Sequence, residues 1–183
     1  MTLLTREDIL RFLDLLNDEL QILNIKAELT LFGGSVMCVA FQSRQATRDV
    51  DAIFKPKSII YKIANDKIAK IYGLHHNWIN DAVSKYISYF GEKEAFLNLS
   101  NLVIYIPKPE YFLAMKCLTS RVDFSSDIED IKYLLDFLSI DSYEQVRVIF
   151  NAFYPKGYIL EEVEEIVKKY IEQKVAGDLN AVQ

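Results

Sequence analysis

The amino-acid sequence predicts an α/β fold: a mixed β-sheet flanked by helices over residues 1–106, then a C-terminal helical domain over residues 107–183. Three observations predict it. Segments rich in β-branched and aromatic residues, at 27–32, 48–54 and from 86 to 106, alternate with stretches of helical periodicity in the first part of the chain. Pro107-Lys108-Pro109 then interrupts the pattern, because two prolines break a strand ladder and Pro109 suits the first turn of a helix. Beyond that point the apolar residues recur at helical spacing to the end.

With 183 residues, 51% hydrophobic and 26% charged, the chain suffices for one domain or a small domain with a helical extension. A net charge of −5 excludes a global attraction to nucleic acid or anionic membrane, while leaving a local basic patch open. Cys38 and Cys117 lie in apolar contexts without Cys-x-x-Cys spacing, so buried reduced thiols are expected rather than a disulfide or zinc site. No basic segment followed by an apolar one opens the chain, and no run approaches the ~18 apolar residues of a membrane span. A cytoplasmic location without membrane contact is expected.

Thr5-Arg6-Glu7-Asp8 resembles a capping box and opens an amphipathic helix over residues 6–23, with Ile9, Phe12, Leu13, Leu16, Leu20 and Leu23 on its apolar face. Residues 27–32 read as a strand ending at Gly33-Gly34. A short apolar helix follows, starting at Ser35, which stands at or near its N-cap. After a polar turn over 42–47, Arg48-Asp49-Val50-Asp51-Ala52-Ile53-Phe54 alternates as a half-buried strand does, so Asp49 and Asp51 share a face and turn away from the core that holds Val50. Lys55-Pro56-Lys57-Ser58 is a basic turn, either solvated or touching a triphosphate or nucleic-acid backbone. A helix then runs to Gly73. His75 and His76 fall in a loop where adjacent side chains cannot share a face and no partner ligands are spaced nearby.

Asn80 or Asp81 is placed to cap a short helix; in a functional role, Asp81 would add a carboxylate to the pair formed by Asp49 and Asp51. Residues 86–106 read as short strands with turns at 91–94 and 98–101. The helix around residues 111–118 is apolar almost all round, and Lys116 is its single charge. A buried ammonium needs an anion. Asp127 or Asp130 would supply one as an internal ion pair; a ligand phosphate would be the other. Ser126-Asp127-Ile128-Glu129 fits a capping box, and Asp130 lies three residues from Asp127 on the same helical face. Two further helices, over 143–153 and 160–174, precede a tail expected to fray over 176–183.

The Gly33-Gly34-Ser35 turn and the Asp49/Asp51 pair share a chemical use. Adjacent carboxylates repel and are most stable around a hard divalent cation, and Mg²⁺ shares its shell with substrate phosphates. A glycine turn lets backbone N–H groups approach a phosphate, with the Ser35 hydroxyl as a further donor. Together they suit an in-line displacement at phosphorus.

Gly33-Gly34-Ser35, thirteen residues, then Asp49-Val50-Asp51 resembles the signature of the nucleotidyltransferase superfamily with a DNA-polymerase-β-like palm. Ala114-Met115-Lys116, Arg121, Asp127-Ile128-Glu129-Asp130-Ile131 and Trp78-Ile79-Asn80-Asp81-Ala82 resemble its smaller bacterial branch, which includes the toxins of AbiE-type abortive-infection systems. The resemblance spans about residues 20–155. It implies that Asp49 and Asp51 hold Mg²⁺ or Mn²⁺ and that Gly33, Gly34, Ser35, Arg48, Lys116 and Arg121 contact the phosphates of a nucleoside triphosphate. Asp127 would orient or deprotonate the attacking group, with Asp130 in support. It further implies transfer of a nucleoside monophosphate to a tRNA end or a protein side chain, a toxin-like role and an antitoxin-like partner. One departure stands out: the usual third carboxylate has no counterpart on the expected strand, since Glu94 falls in a turn and residues 103–106 are apolar. That departure keeps a catalytically silent binding module open beside the enzyme. A phosphotransferase moving the γ-phosphate also competes, as does a two-carboxylate hydrolase, which would leave the glycine turn unused.

Overall fold

The computed structural model describes residues 3–89, 91–120 and 125–181. The chain is α/β with a mixed sheet, and it divides into two compact units: Met1–Lys85 with Lys93–Pro107, and Tyr86–Glu92 with Lys108–Gln183.

The first unit opens with β1 (Leu4–Thr5) and α1 (Arg6–Ile22). The Thr5 hydroxyl accepts from the Asp8 N–H at 3.2 Å while the Asp8 carboxylate accepts from the Thr5 N–H at 3.0 Å, which closes the expected capping box. Then come β2 (Ala27–Leu31), α2 (Gly33–Val39), β3 (Ala46–Thr47) and β4 (Val50–Lys55). Next are α3 (Lys57–Tyr61), a π-helical segment (Lys62–Ile68), α4 (Ala69–Tyr72) and β5 (Ile79–Asn80). A 3-10 turn (Ala82–Tyr86) precedes the hairpin of β6 (Lys93–Asn98) and β7 (Leu102–Pro107).

The main sheet has the order β5-β4-β2-β7-β6. β2 runs antiparallel to β4 and parallel to β7; β5 is parallel to β4, and β6 antiparallel to β7. One face is continuous core. Ala27, Leu29, Leu31, Val50, Ala52, Phe54, Leu102 and Ile104 are all buried, as are Ile9, Phe12, Leu13, Leu16 and Leu20 of α1. Each of the larger side chains contributes about 1.5–3 kcal/mol by leaving water. The opposite face carries Asp51 with its register partner Asn80, then Ile53 opposite Thr30.

The second unit contains α5 (Pro109–Thr119), α6 (Ser125–Phe137), α7 (Tyr143–Phe153) and α8 (Glu161–Ala181). α5 is its centre, with Tyr111 to Cys117 buried, as its unbroken apolar sequence predicts. Ile131, Leu134 and Leu135 of α6, Val146 and Phe150 of α7, and Val163, Val167 and Ile171 of α8 complete the core. The strap of residues 86–92 is tied here by hydrogen bonds: the Tyr154 hydroxyl donates to the Tyr86 carbonyl at 2.8 Å, and the Ser88 N–H donates to the Tyr111 hydroxyl at 3.0 Å. Among the described residues, no helix is long and apolar enough to cross a membrane.

Several local expectations change. α2 begins at Gly33, two residues before Ser35, because the left-handed Gly33 (φ +60°) follows an extended Phe32 and turns directly into the helix. Residues 86–89 are not a strand, since their polar groups bond to the helices of the second unit. Glu94 lies on β6 rather than in a turn, paired with Ile106. α8 continues to Ala181, and Lys174, about two turns before that end, pairs with Asp136 at 3.0 Å and donates to the Ile140 carbonyl at 3.3 Å. The π segment has no periodic signature. It is stabilised from outside: the Trp78 indole N–H donates to the Ala64 carbonyl at 2.8 Å, and the Asn65 amide to the Ile79 carbonyl at 3.0 Å. Replacing the fully buried Trp78 by Phe (Trp78→Phe) removes that bond and leaves a void, so urea unfolding is expected to show a loss of about 2 kcal/mol.

Candidate active site in the first unit

The turn between β2 and α2 lies against β4. The Phe32 N–H donates to the Asp51 carbonyl at 2.8 Å, extending the β2–β4 ladder by one bond. Gly33 then adopts φ +60°, and a Cβ built on it would stand 2.5 Å from Asp51 Oδ2. Glycine is required there twice, by the backbone and by the carboxylate packed on it. A Cβ on Gly34 would meet Thr47 Oγ1 at 2.7 Å and Arg44 Nη1 at 3.2 Å. Gly33 thus packs on a carboxylate, and Gly34 on a hydroxyl and a guanidinium.

Ser35 is fully buried, at the third helical position, and its hydroxyl donates to the Phe32 carbonyl at 2.7 Å. In this structure the Ser35 hydroxyl holds the turn in shape. Asp49 and Asp51 flank the buried Val50 and are both half-buried. The Asn80 amide donates to Asp49 Oδ2 at 3.3 Å while its oxygen accepts from the Ala82 N–H at 3.0 Å, which fixes the amide orientation. Asn80 is also the register partner of Asp51 on the neighbouring strand. Burial pushes the Asp49 carboxyl above its ordinary range, opposed by the Asn80 hydrogen bond and by the charges of Arg48 and His75. Arg48 is exposed.

Other candidates have partners elsewhere in this unit. Asp81 forms an ion pair with Lys57. His76 lies 3.5 Å from Asp66 and its ring packs on Tyr61. Glu94 sits on β6, three strands across the sheet from β4, about 14 Å away at ordinary strand spacing. Among the described residues, no three His, Cys, Asp or Glu side chains converge as a metal cluster. Asp49 and Asp51 offer two carboxylates, which fits a hard cation such as Mg²⁺ that takes one or two carboxylates and completes its shell with phosphate and water.

The remaining predicted residues belong to the second unit. Lys116 Nζ lies 2.6 Å from Asp130 Oδ2 and 3.3 Å from Asp127 Oδ1, with its side chain 7% exposed. The internal ion pair open in the sequence is thus formed, with both acids. Asp130 is 2% exposed and Asp127 23%, so Asp127 is the one solvent reaches. Arg121 lies outside the described residues.

Neither the sequence periodicity nor the motif spacing singles out Asn80, Thr47 or Arg44 as parts of the site. Asn80 has its capping chemistry and its place in the Trp78-Ile79-Asn80-Asp81-Ala82 fragment as signals, neither of which points to Asp49, and the other two fall in a segment that reads as a polar turn. No protein-family model, curated protein or solved structure matches the chain.

A raised carboxyl pKa means that folding is most favoured with Asp49 protonated, and that this contribution is lost as pH rises from the ordinary 3.8 through the folded value. Asp49→Asn is therefore expected to raise the thermal midpoint in EDTA at pH 7 and to remove any stabilisation by Mg²⁺. Lys116→Met removes the ammonium beside the buried Asp130 and the partly exposed Asp127 and is expected to cost about 3–5 kcal/mol in urea unfolding, much of it recovered in Lys116→Met/Asp130→Leu.

Proposed function

We propose that the chain is a Mg²⁺-dependent nucleotidyltransferase that moves a nucleoside monophosphate from a nucleoside triphosphate to an acceptor hydroxyl, acting in the cytoplasm. The observation that carries this reading is the contact between the Gly33 backbone and the Asp51 carboxylate, where no side chain fits. A turn built that way brings backbone N–H groups, and any phosphate they hold, directly beside the metal-binding acids.

Asp49 and Asp51 would hold the cation, which when bound neutralises charge on the phosphates. Val50, fully buried between them, and Asn80, bonded to Asp49, keep both acids in place. Gly33 and Gly34 present their backbone to the phosphates, and Ser35 keeps the turn rigid through its bond to Phe32. The acceptor oxygen forms a bond to the α-phosphorus, the bond to the bridging oxygen breaks, pyrophosphate leaves, and the hydroxyl proton passes to solvent. The second unit holds nine Lys and Arg against fifteen Asp and Glu, a net −6, whereas the first is +1. That imbalance repels a polyanion from the helical unit and favours a protein side chain over a tRNA end as acceptor. A toxin-like role with an antitoxin-like partner is consistent with this chemistry and rests on the resemblance alone.

A second reading, a module that binds nucleotide without transferring it, is favoured by one observation: no third acid joins Asp49 and Asp51 among the described residues. Incubation with Mg²⁺, each of the four α-labelled nucleoside triphosphates, bulk tRNA and cell lysate separates the two. Label is expected to move to an acceptor with the wild type and not with Asp49→Ala/Asp51→Ala. Nucleotide-dependent thermal stabilisation without any transferred label would establish the binding module instead.

A further inference from the structure

The proposed transfer needs cationic donors on the triphosphate besides the metal. Two groups expected to contact the phosphates are engaged elsewhere: the Ser35 hydroxyl donates to the Phe32 carbonyl, and Lys116 is paired with Asp127 and Asp130 inside the second unit. Arg44 lies beside the glycine turn itself. Its Nη1 approaches to 3.2 Å of the position a Gly34 Cβ would take, and Thr47 Oγ1 approaches to 2.7 Å of the same point. Its charge also reaches the Cys38 thiol on α2, opposing the upward push of burial there. Arg44 is half-buried, and its guanidinium packs beside Gly34.

We propose that Arg44, assisted by the Thr47 hydroxyl, is the residue that grips the non-transferred phosphates of the bound triphosphate. The assignment rests on the nucleotidyltransferase reading and adds to it a polarity. Asp51 marks the metal-binding side of the turn, next to Gly33, and Arg44 the phosphate-binding side, next to Gly34. A triphosphate held by the backbone N–H groups of this turn would lie near both, because Asp51 packs on Gly33 and Arg44 on Gly34. Arginine suits the role: its planar fork pairs two phosphate oxygens at once, and its five N–H donors allow a phosphate to be bound without giving up existing protein contacts. Thr47 pairs with Leu4 across β3 and β1 and is buried.

The test uses inorganic triphosphate as a probe that has no base or sugar. Calorimetric titration with Mg²⁺ and inorganic triphosphate, with pyrophosphate and orthophosphate in parallel, is run on the wild type, Arg44→Gln, Arg44→Lys and Thr47→Val. Circular dichroism checks that each is folded. The wild type is expected to prefer triphosphate to orthophosphate. Arg44→Gln should weaken triphosphate binding about tenfold or more, and Arg44→Lys by less because it keeps the charge and loses the fork. Mg²⁺ binding alone should be unchanged in all of them. Triphosphate affinity within about twofold of wild type in folded Arg44→Gln would overturn the assignment while leaving the transferase reading intact. Equal loss of Mg²⁺ binding and triphosphate binding would also overturn it, by showing that Arg44 only supports the acids. Absence of any triphosphate binding by the wild type would overturn both.

Discussion

The antiparallel pairing of β2 with β4 is the constraint from which the rest of the candidate site follows. Leu31 opposes Ala52, and one step further the Phe32 N–H bonds to the Asp51 carbonyl. That register places the glycine turn on the Asp51 side chain and leaves Val50 and Ala52 in the core. A slip of one residue would exchange the two faces of β4, burying Asp51 among leucines and exposing Val50. The hydrophobic pattern that stabilises the sheet is therefore the same pattern that sets the acids out. Stability and the site cannot be separated at this strand.

The site also works against the fold. A half-buried carboxylate that is more easily protonated than usual costs stability when ionised, and Asp49 is retained in that condition, braced by Asn80. Such a cost is reasonable where a cation arrives with substrate and restores the balance. The Lys116 cluster handles the same problem differently. There three charges are brought together within one unit, and the ammonium at 2.6 Å from Asp130 neutralises the deepest acid without any ligand. Asp49 is braced by a neutral amide, whereas Asp130 already has its cation. This contrast is why the transfer chemistry is assigned to the first unit.

Much of this was readable from the residues. The alternation at residues 48–54 and the glycine pair after residues 27–32 expose their meaning because strands and turns have local signatures. The capping chemistry of Thr5 with Asp8 is equally local, and the structure closes it as expected. What stayed illegible depends on distant partners. The π segment exists because Trp78 and Asn65 bond across fourteen residues, and no periodicity announces that. Asn80 reads as a cap until the pairing of β5 with β4 turns it toward Asp49. Arg44 and Thr47 look like turn residues until Gly34 is found packed against them. Glu94 is misplaced by sequence reasoning because Gly91 suggests a turn that runs through residue 94, whereas β6 already begins at Lys93.

Everything proposed for the first unit depends on Asp49 and Asp51 forming a site for a hard divalent cation. Electron paramagnetic resonance of Mn²⁺, titrated into the metal-free protein at neutral pH, tests this without reference to any substrate. The wild type is expected to remove Mn²⁺ from the free signal saturably, Mg²⁺ in excess to restore the signal, and Asp49→Ala/Asp51→Ala to abolish the uptake. Uptake that is the same in wild type and variant, or absent from both, would contradict it.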